Sequence, residues 1–177
     1  MKITLAIDTS THKTIVALLK GDELLWQESN DGATEHTESL IKLCAKATKQ
    51  SKTIDQVIVG MGPGPFTGLR AGIAFAQSFA FARGIPATGV CSLDAIAASI
   101  TDGEFVVATD ARRKELYWAH YKDGKRYSGP NVTSADKLPE IKTYYQFPDL
   151  TSFPKLDQVS QPMYLRHPDA IPTAERK

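Results

Sequence analysis

A chain of 177 residues with a net charge of +1 has room for one domain, or for two small lobes sharing a core, without a metal or disulfide to hold it together. Hydrophobic residues make up 42% and charged residues 23%, so the electrostatic case for general nucleic-acid or membrane binding is excluded. No apolar run approaches the ~18 residues that a membrane-spanning helix needs, and MKITLAIDTS lacks the length and cleavage site of a signal peptide. Cys44 and Cys91 lie in separate hydrophobic patterns with no C-x-x-C, which predicts buried, reduced thiols in a cytoplasmic protein.

In chain order, KITLAID (residues 2–8), TIVALLK (14–20) and ELLWQES (23–29) predict three strands joined by short turns, an antiparallel meander. Thr34 suits the N-cap of a helix running to Gln50. Glu35 and Glu38 fall in its first turn, and Leu40, Leu43, Cys44 and Ala47 on one side. QVIVGMG (56–62) predicts a fourth strand, followed by a helix over 67–83. PATGVC (86–91) is a short strand, and Ser92 suits the cap of a helix reaching Ile100. EFVVATDA (104–111), ELYWAHY (115–121) and a strand over 124–132 repeat the opening meander. Beyond Ser134, FPDLTSFPKL and HPDAIPTAERK are rich in proline and polar residues and predict extended or loosely held segments. The division expected is a first lobe over 1–102 and a smaller second lobe with its tail over 103–177.

The stretch GMGPGPFTGLRAG (60–72) packs five glycines and two prolines into thirteen positions after the strand VIV. It lacks the G-x-x-x-x-G-K-[ST] spacing of a phosphate-binding loop, and Thr67 stands where a dinucleotide fingerprint needs glycine. Pro63 and Pro65 have no N–H to offer a phosphate, whose cradle depends on consecutive backbone donors. A rigid turn that aims the next helix fits better. That helix carries no charge over 71–82. Gly68, Ala71, Gly72, Phe75, Ala76, Phe79 and Ala82 share one face, with Arg70, Ala74, Gln77 and Phe81 roughly opposite. Such a helix is buried on all sides, or buried partly by a partner, and the pattern leaves both open.

Asp8 in AIDTST resembles the first phosphate loop of the actin and sugar-kinase superfamily, but Ser10 stands where that loop has glycine. Asp110, followed by Ala111 and Arg112, repeats the departure, which favours a relic of the fold over an ATPase. His12, His36, His120 and His167 are scattered without metal-ligand spacing. His36, near the edge of its helix's apolar stripe, reads as a packing or interface residue. There is no G-x-S-x-G elbow and no cysteine–histidine pattern. Arg112-Arg113-Lys114 ahead of Tyr117 and Trp118 fits an RNA contact or, more commonly, a charged hairpin turn.

Taken together, LAIDTST, GPGPFTGLRAG, VCSLDAIA, DARRKELYWAHY and PMYLR resemble the TsaB (YeaZ) family, in order along the whole chain. The family usually has serine at the place of Pro65 and a longer second lobe. The resemblance implies an α/β, actin-like (ASKHA, ribonuclease H-like) two-lobed fold, here with a shortened second lobe. It implies a non-catalytic scaffold or activator subunit of the complex that makes threonylcarbamoyladenosine beside the anticodon of tRNAs reading codons that begin with A. The implied partners are the catalytic paralogue TsaD and the ATPase TsaE, with a homodimer through the same surface and tRNA met only as part of the complex. No cofactor, metal or membrane is implied. The first two helices would carry the partner interface, through His36, Leu40, Leu43 and Ala47 on one and Arg70, Ala74, Gln77 and Phe81 on the other. Gly62, Pro63, Gly64, Phe66, Thr67 and Gly68 would form a structural loop aiming the second. The competing readings are an ATP-binding kinase or ATPase of the actin-like superfamily and, further off, a metallopeptidase.

Overall fold

The computed structural model describes residues 1–32 and 34–166. Strands β1 (Ile3–Asp8), β2 (Lys13–Lys20) and β3 (Glu23–Asp31) form the meander, antiparallel throughout. Helix α1 (His36–Gln50) leads to β4 (Gln56–Gly60), and α2 (Phe66–Arg83) to β5 (Ala87–Val90). Strands β4 and β5 join in parallel, giving a five-stranded sheet of order β3-β2-β1-β4-β5. A short helix α3 (Ser92–Ala97) then opens onto β6 (Glu104–Asp110), β7 (Glu115–Lys122) and β8 (Lys125–Ser134). With β9 (Thr143–Tyr144) they form a second sheet of order β8-β7-β6-β9.

Both faces of the first sheet are covered, so its central strands read as unbroken apolar runs. The two-residue period of a strand sorts them. Leu5, Ile7, Val16, Leu18, Val57 and Val59 point to one side, where α1 and α2 lie. Ala6, Ile15, Ala17, Leu19 and Ile58 point to the other, against Ala95 of α3 and Leu150 and Phe153. Helix α3 lies between the sheets, because Leu93 and Ile96 pack on Phe105, Val107, Ala119 and Tyr121 of the second.

The segment FPDLTSFPKL departs from expectation. Residues Leu150–Lys155 form a short 3-10 helix that buries Leu150 and Phe153 in the core of the first sheet. Asp149 Oδ1 accepts from Thr151 N at 3.0 Å and from Thr151 Oγ1 at 2.7 Å, a local cap that the proline-rich composition concealed. Further on, Val159 N donates to Gly89 O and Met163 N to Met61 O, each at 2.8 Å, so the chain returns to the first sheet. His167 and the stretch HPDAIPTAERK lie outside the described residues. Neither expected cap forms: Thr34 precedes Glu35, which holds the N-cap position of α1 without a side-chain bond, and Ser92 is the first residue of α3, its hydroxyl used elsewhere.

That hydroxyl reaches Asp8. The Asp8 carboxylate, at the end of β1, has no exposed surface. Oδ1 accepts from Ser10 N at 2.8 Å and Ser10 Oγ at 2.7 Å, and Oδ2 accepts from Ser92 Oγ at 2.7 Å. Burial pushes its pKa up, and the bonds from Ser92 and Ser10 partly offset the shift. Gly60, at the end of β4, lies so close that a Cβ would collide with Asp8 Oδ2. Next along the chain, Thr9 packs on α2, where its Oγ1 donates to Gly68 O at 2.7 Å and fills the space above Gly72. The small residues of α2 therefore serve the chain's own β1–β2 turn.

Two tests follow from this packing. Ser92→Ala removes a donor to a buried carboxylate, and urea denaturation at neutral pH should show a loss of about 1.5–3 kcal/mol. A raised native pKa means that the folded state keeps a proton the unfolded chain gives up, so the Asp8 contribution to stability falls as pH rises through the raised value. The Ser92 bond favours the ionised form, so the deficit of the variant should shrink as pH drops towards 4. A deficit that grows on acidification would contradict this. In an open helix, Gly72→Ala should stabilise by about 1 kcal/mol. Here the new methyl meets Thr9 Oγ1, and a loss of about 1–3 kcal/mol from overpacking is expected instead.

Candidate functional site

Helix α2 starts where Pro65 fixes φ at −58° and ends at Gly84, whose φ of 64° admits the left-handed turn that glycine adopts freely. Gly68, Leu69, Gly72, Ile73, Ala76 and Ala80 are buried. Phe75 and Phe79, expected on the core face, sit half-buried at its border, and Ala82 is exposed. The core face turns about Leu69 and Ile73 because β1 and β4 present their apolar side chains there. Arg70, Ala74, Gln77 and Phe81, spaced i, i+4, i+7, i+11, form a single exposed stripe. Phe81 is 90% exposed, and no charge interrupts the helix between Arg70 and Arg83. The Arg70 guanidinium lies 5.2 Å from the centre of the Phe66 ring, which meets Tyr164 at 4.9 Å.

The four α1 residues expected at the interface lie elsewhere. His36, Leu40, Leu43 and Ala47 are buried. They form the stripe by which α1 covers the first sheet, and an amphipathic helix on a sheet spends its apolar stripe on the core. His36 Nδ1 is 2.8 Å from Thr14 Oγ1. Burial first, then the charges of Arg112 and His12, push its imidazole below the ordinary value. The outward face of α1 shows Ile41, Lys42, Ala45 and Lys46, with Ile41 59% exposed. Ile41 was missed, although the sequence carried the signal: a large apolar residue off the stripe in an otherwise polar face.

The structural loop is divided in its surroundings. Gly62, Pro63, Gly64 and Gly68 are buried, and Phe66 and Thr67 exposed. The Gly62 N–H is taken by Ser92 Oγ at 3.3 Å. With Asp8 enclosed and this donor spent inside the protein, the loop serves as a bed for residues 8–10. Asp110, by contrast, is exposed, and its Oδ1 accepts from Arg112 N at 2.8 Å. Beside it a cleft of about 340 Å³ opens between Thr11, His12 and Pro65 on one side and Thr109, Asp110 and Arg112 on the other. Tyr145, Gln146 and Phe147 border it. Arg112, Arg113 and Lys114, in the β6–β7 turn, have φ of 61°, 54° and 63°. Each such residue costs about 1–2 kcal/mol where glycine would cost little.

The cysteines are both buried, and burial pushes each thiol up to about 12. Among the described residues no group of three or more His, Cys, Asp and Glu side chains is placed to hold a metal ion. None of their helices is long and apolar enough to cross a membrane.

Comparison with known proteins agrees with this architecture. The model of the TsaD family, tRNA N6-adenosine threonylcarbamoyltransferase, matches residues 30–155. An uncharacterized protein of Mycobacterium tuberculosis is 38% identical, over 96% of this chain and 94% of its own length. The tRNA threonylcarbamoyladenosine biosynthesis protein TsaB of Buchnera aphidicola is 31% identical, over 79% of this chain and 71% of its own. The solved structure of YeaZ from Pseudomonas aeruginosa superposes with a TM-score of 0.67 at 27% identity, covering 78% of this chain and 70% of that one. The two-sheet α/β architecture is the actin-like fold that YeaZ shares. By sequence and by fold, the chain belongs to the TsaB (YeaZ) family, among the chains that the TsaD model describes.

Proposed function

We propose that this protein is a non-catalytic scaffold or activator subunit in the synthesis of threonylcarbamoyladenosine on tRNA, the pathway named for its TsaB relatives. It acts in the cytoplasm by docking on the catalytic paralogue TsaD, with TsaE joining the assembly, and a homodimer uses the same face. The observation that carries this reading is the exposed, uncharged stripe of α2 through Ala74, Gln77 and Phe81, beneath which the small residues are already occupied by Thr9. Ile41 of α1 adds a second exposed apolar residue. Aromatic anchors in a patch depleted of charge are what protein interfaces bury at their centres. An ATP-binding reading needs a free carboxylate and free loop donors at Asp8, where the carboxylate is enclosed by Ser10, Ser92 and Gly60.

Ala74→Glu tests the reading. The position is exposed in the single chain, so circular dichroism and melting should stay near the wild type. In an interface the carboxylate would be desolvated and unpaired, and binding to the cognate TsaD, or self-association in sedimentation, should fall by about a hundredfold or more. A folded variant that binds with unchanged affinity would remove α2 from the interface.

A further inference from the structure

We propose that the outer edge of β3 pairs with an extended acidic segment of another protein, whose alternate side chains lie along a row of lysines on α1. This stands apart from the docking role of α2 and does not rest on it. The two sheets end in four edge strands, β3, β5, β8 and β9. Open backbone at a sheet edge invites pairing with another chain, and three of these edges are closed or blunted. Strand β5 is covered by the returning chain, where Val159 N donates to Gly89 O at 2.8 Å and Gln158 bridges Val90. Strand β9 has two residues, and β8 carries Pro130 and two register shifts. Strand β3 has nine residues and no proline, and its register shift lies beside Leu24, which leaves residues 26–31 regular.

The register decides which backbone groups are open. Gly32 N donates to His12 O at 3.1 Å, so in the antiparallel alternation Trp26, Glu28 and Asn30 exchange their bonds with Leu18, Val16 and Thr14. The N–H and C=O of Gln27, Ser29 and Asp31 therefore point away from the sheet, a ready ladder for one more strand. Helix α1 overhangs this edge. Asn30 Nδ2 donates to Ser39 Oγ at 2.7 Å and Lys46 Nζ to Glu28 Oε2 at 2.5 Å, so the helix runs along the strand in the opposite direction. Between them lies a groove of about 440 Å³. Its lining holds Lys42, Lys46 and Lys49 against a single carboxylate, Glu28. Lys42 is also paired with Glu38 at 2.6 Å, and Lys49 has no carboxylate partner among the described residues. Lys42 to Lys49 spans about 10 Å of helix, close to the ~13 Å over which an extended chain sets three alternate side chains. Carboxylates at those positions would meet the lysines while the backbone pairs with β3. A second copy of this chain would bring Glu23, Glu28, Asp31 and the same lysines against their own kind, so an acidic segment fits better than self-pairing.

Fluorescence anisotropy on the full chain, with a short labelled peptide that alternates glutamate and threonine, tests this. The wild type should bind it, with affinity that falls as salt rises. It should not bind the same peptide with lysine for glutamate, or with every backbone nitrogen methylated. Ser29→Pro removes an outward N–H and leaves the ladder to β2 whole, so it should melt near the wild-type temperature yet bind about tenfold more weakly. If that variant fails to fold, the methylated peptide reads the same pairing from the other side. Lys49→Glu reverses an exposed charge and should weaken binding about tenfold, with a shallower salt dependence. Lys122→Glu, the same reversal in the second sheet, should leave the affinity unchanged. Ala74→Glu on α2 should bind the peptide as the wild type does, which separates this edge from the docking role of that helix. The inference is overturned if the wild type does not bind the peptide, or if either Ser29→Pro or Lys49→Glu binds it as the wild type does. A wild-type dimer that Ser29→Pro dissociates in sedimentation, with no peptide bound, would put a second copy at the edge and overturn it too.

Discussion

The arrangement depends on a carboxylate buried out of reach of the solvent. Asp8 lies at the end of the central strand β1, and ionising it there costs free energy that only hydrogen bonds can offset. Those bonds come from two places: Ser10, two residues on, and Ser92, at the start of the short helix between the sheets. Satisfying Asp8 thus fixes the β1–β2 turn and α3 to the same point. Once the carboxylate is held, β4 must end in a residue without a side chain, and α2 must leave room for Thr9. The glycine-rich composition of the loop follows from what lies beneath it. In a nucleotide-binding loop the same glycines would leave room for a phosphate; here the protein's own side chains and backbone fill the space.

The sequence revealed the elements better than their orientation. The central strands were legible because apolar, β-branched runs between short polar turns have few alternatives. The first helix was legible for its periodicity, but periodicity identifies the stripe that meets the core. The same residues were expected at the partner face, so Leu40, Leu43 and Ala47 were displaced from surface to interior. Helix α2 posed the opposite difficulty. It is apolar almost all round, and its orientation is set by Thr9, fifty-nine residues from Gly68, a contact that no local window contains. Its exposed stripe was nonetheless legible, because Arg70 and Gln77 mark the side that water reaches. The 3-10 helix Leu150–Lys155 was hidden because proline was read as a breaker, when Leu150 and Phe153 were what the first sheet needed on its second face.

One connection serves two surfaces. Pro65 lines the cleft between the sheets, and its neighbour Phe66 opens the exposed side of α2. The residue before the helix and the first residue in it thus look out on different environments. Phe66 contacts both the Arg70 guanidinium and the Tyr164 ring, so the junction also meets the segment around residue 164.

The bonding of α2 to its own scaffold bears on how fast and how tightly any partner can meet it. One face is anchored through Thr9 and Gly68, and its last turn is closed by Gly84 N to Phe81 O and Ile85 N to Ala80 O, each at 3.1 Å. The helix therefore stands formed before any encounter. Association then proceeds as the meeting of rigid bodies, without the loss of backbone entropy that a folding segment would incur on capture. Among variants along the exposed stripe, differences in affinity should accordingly reside in how long the complex lasts rather than in how often it forms.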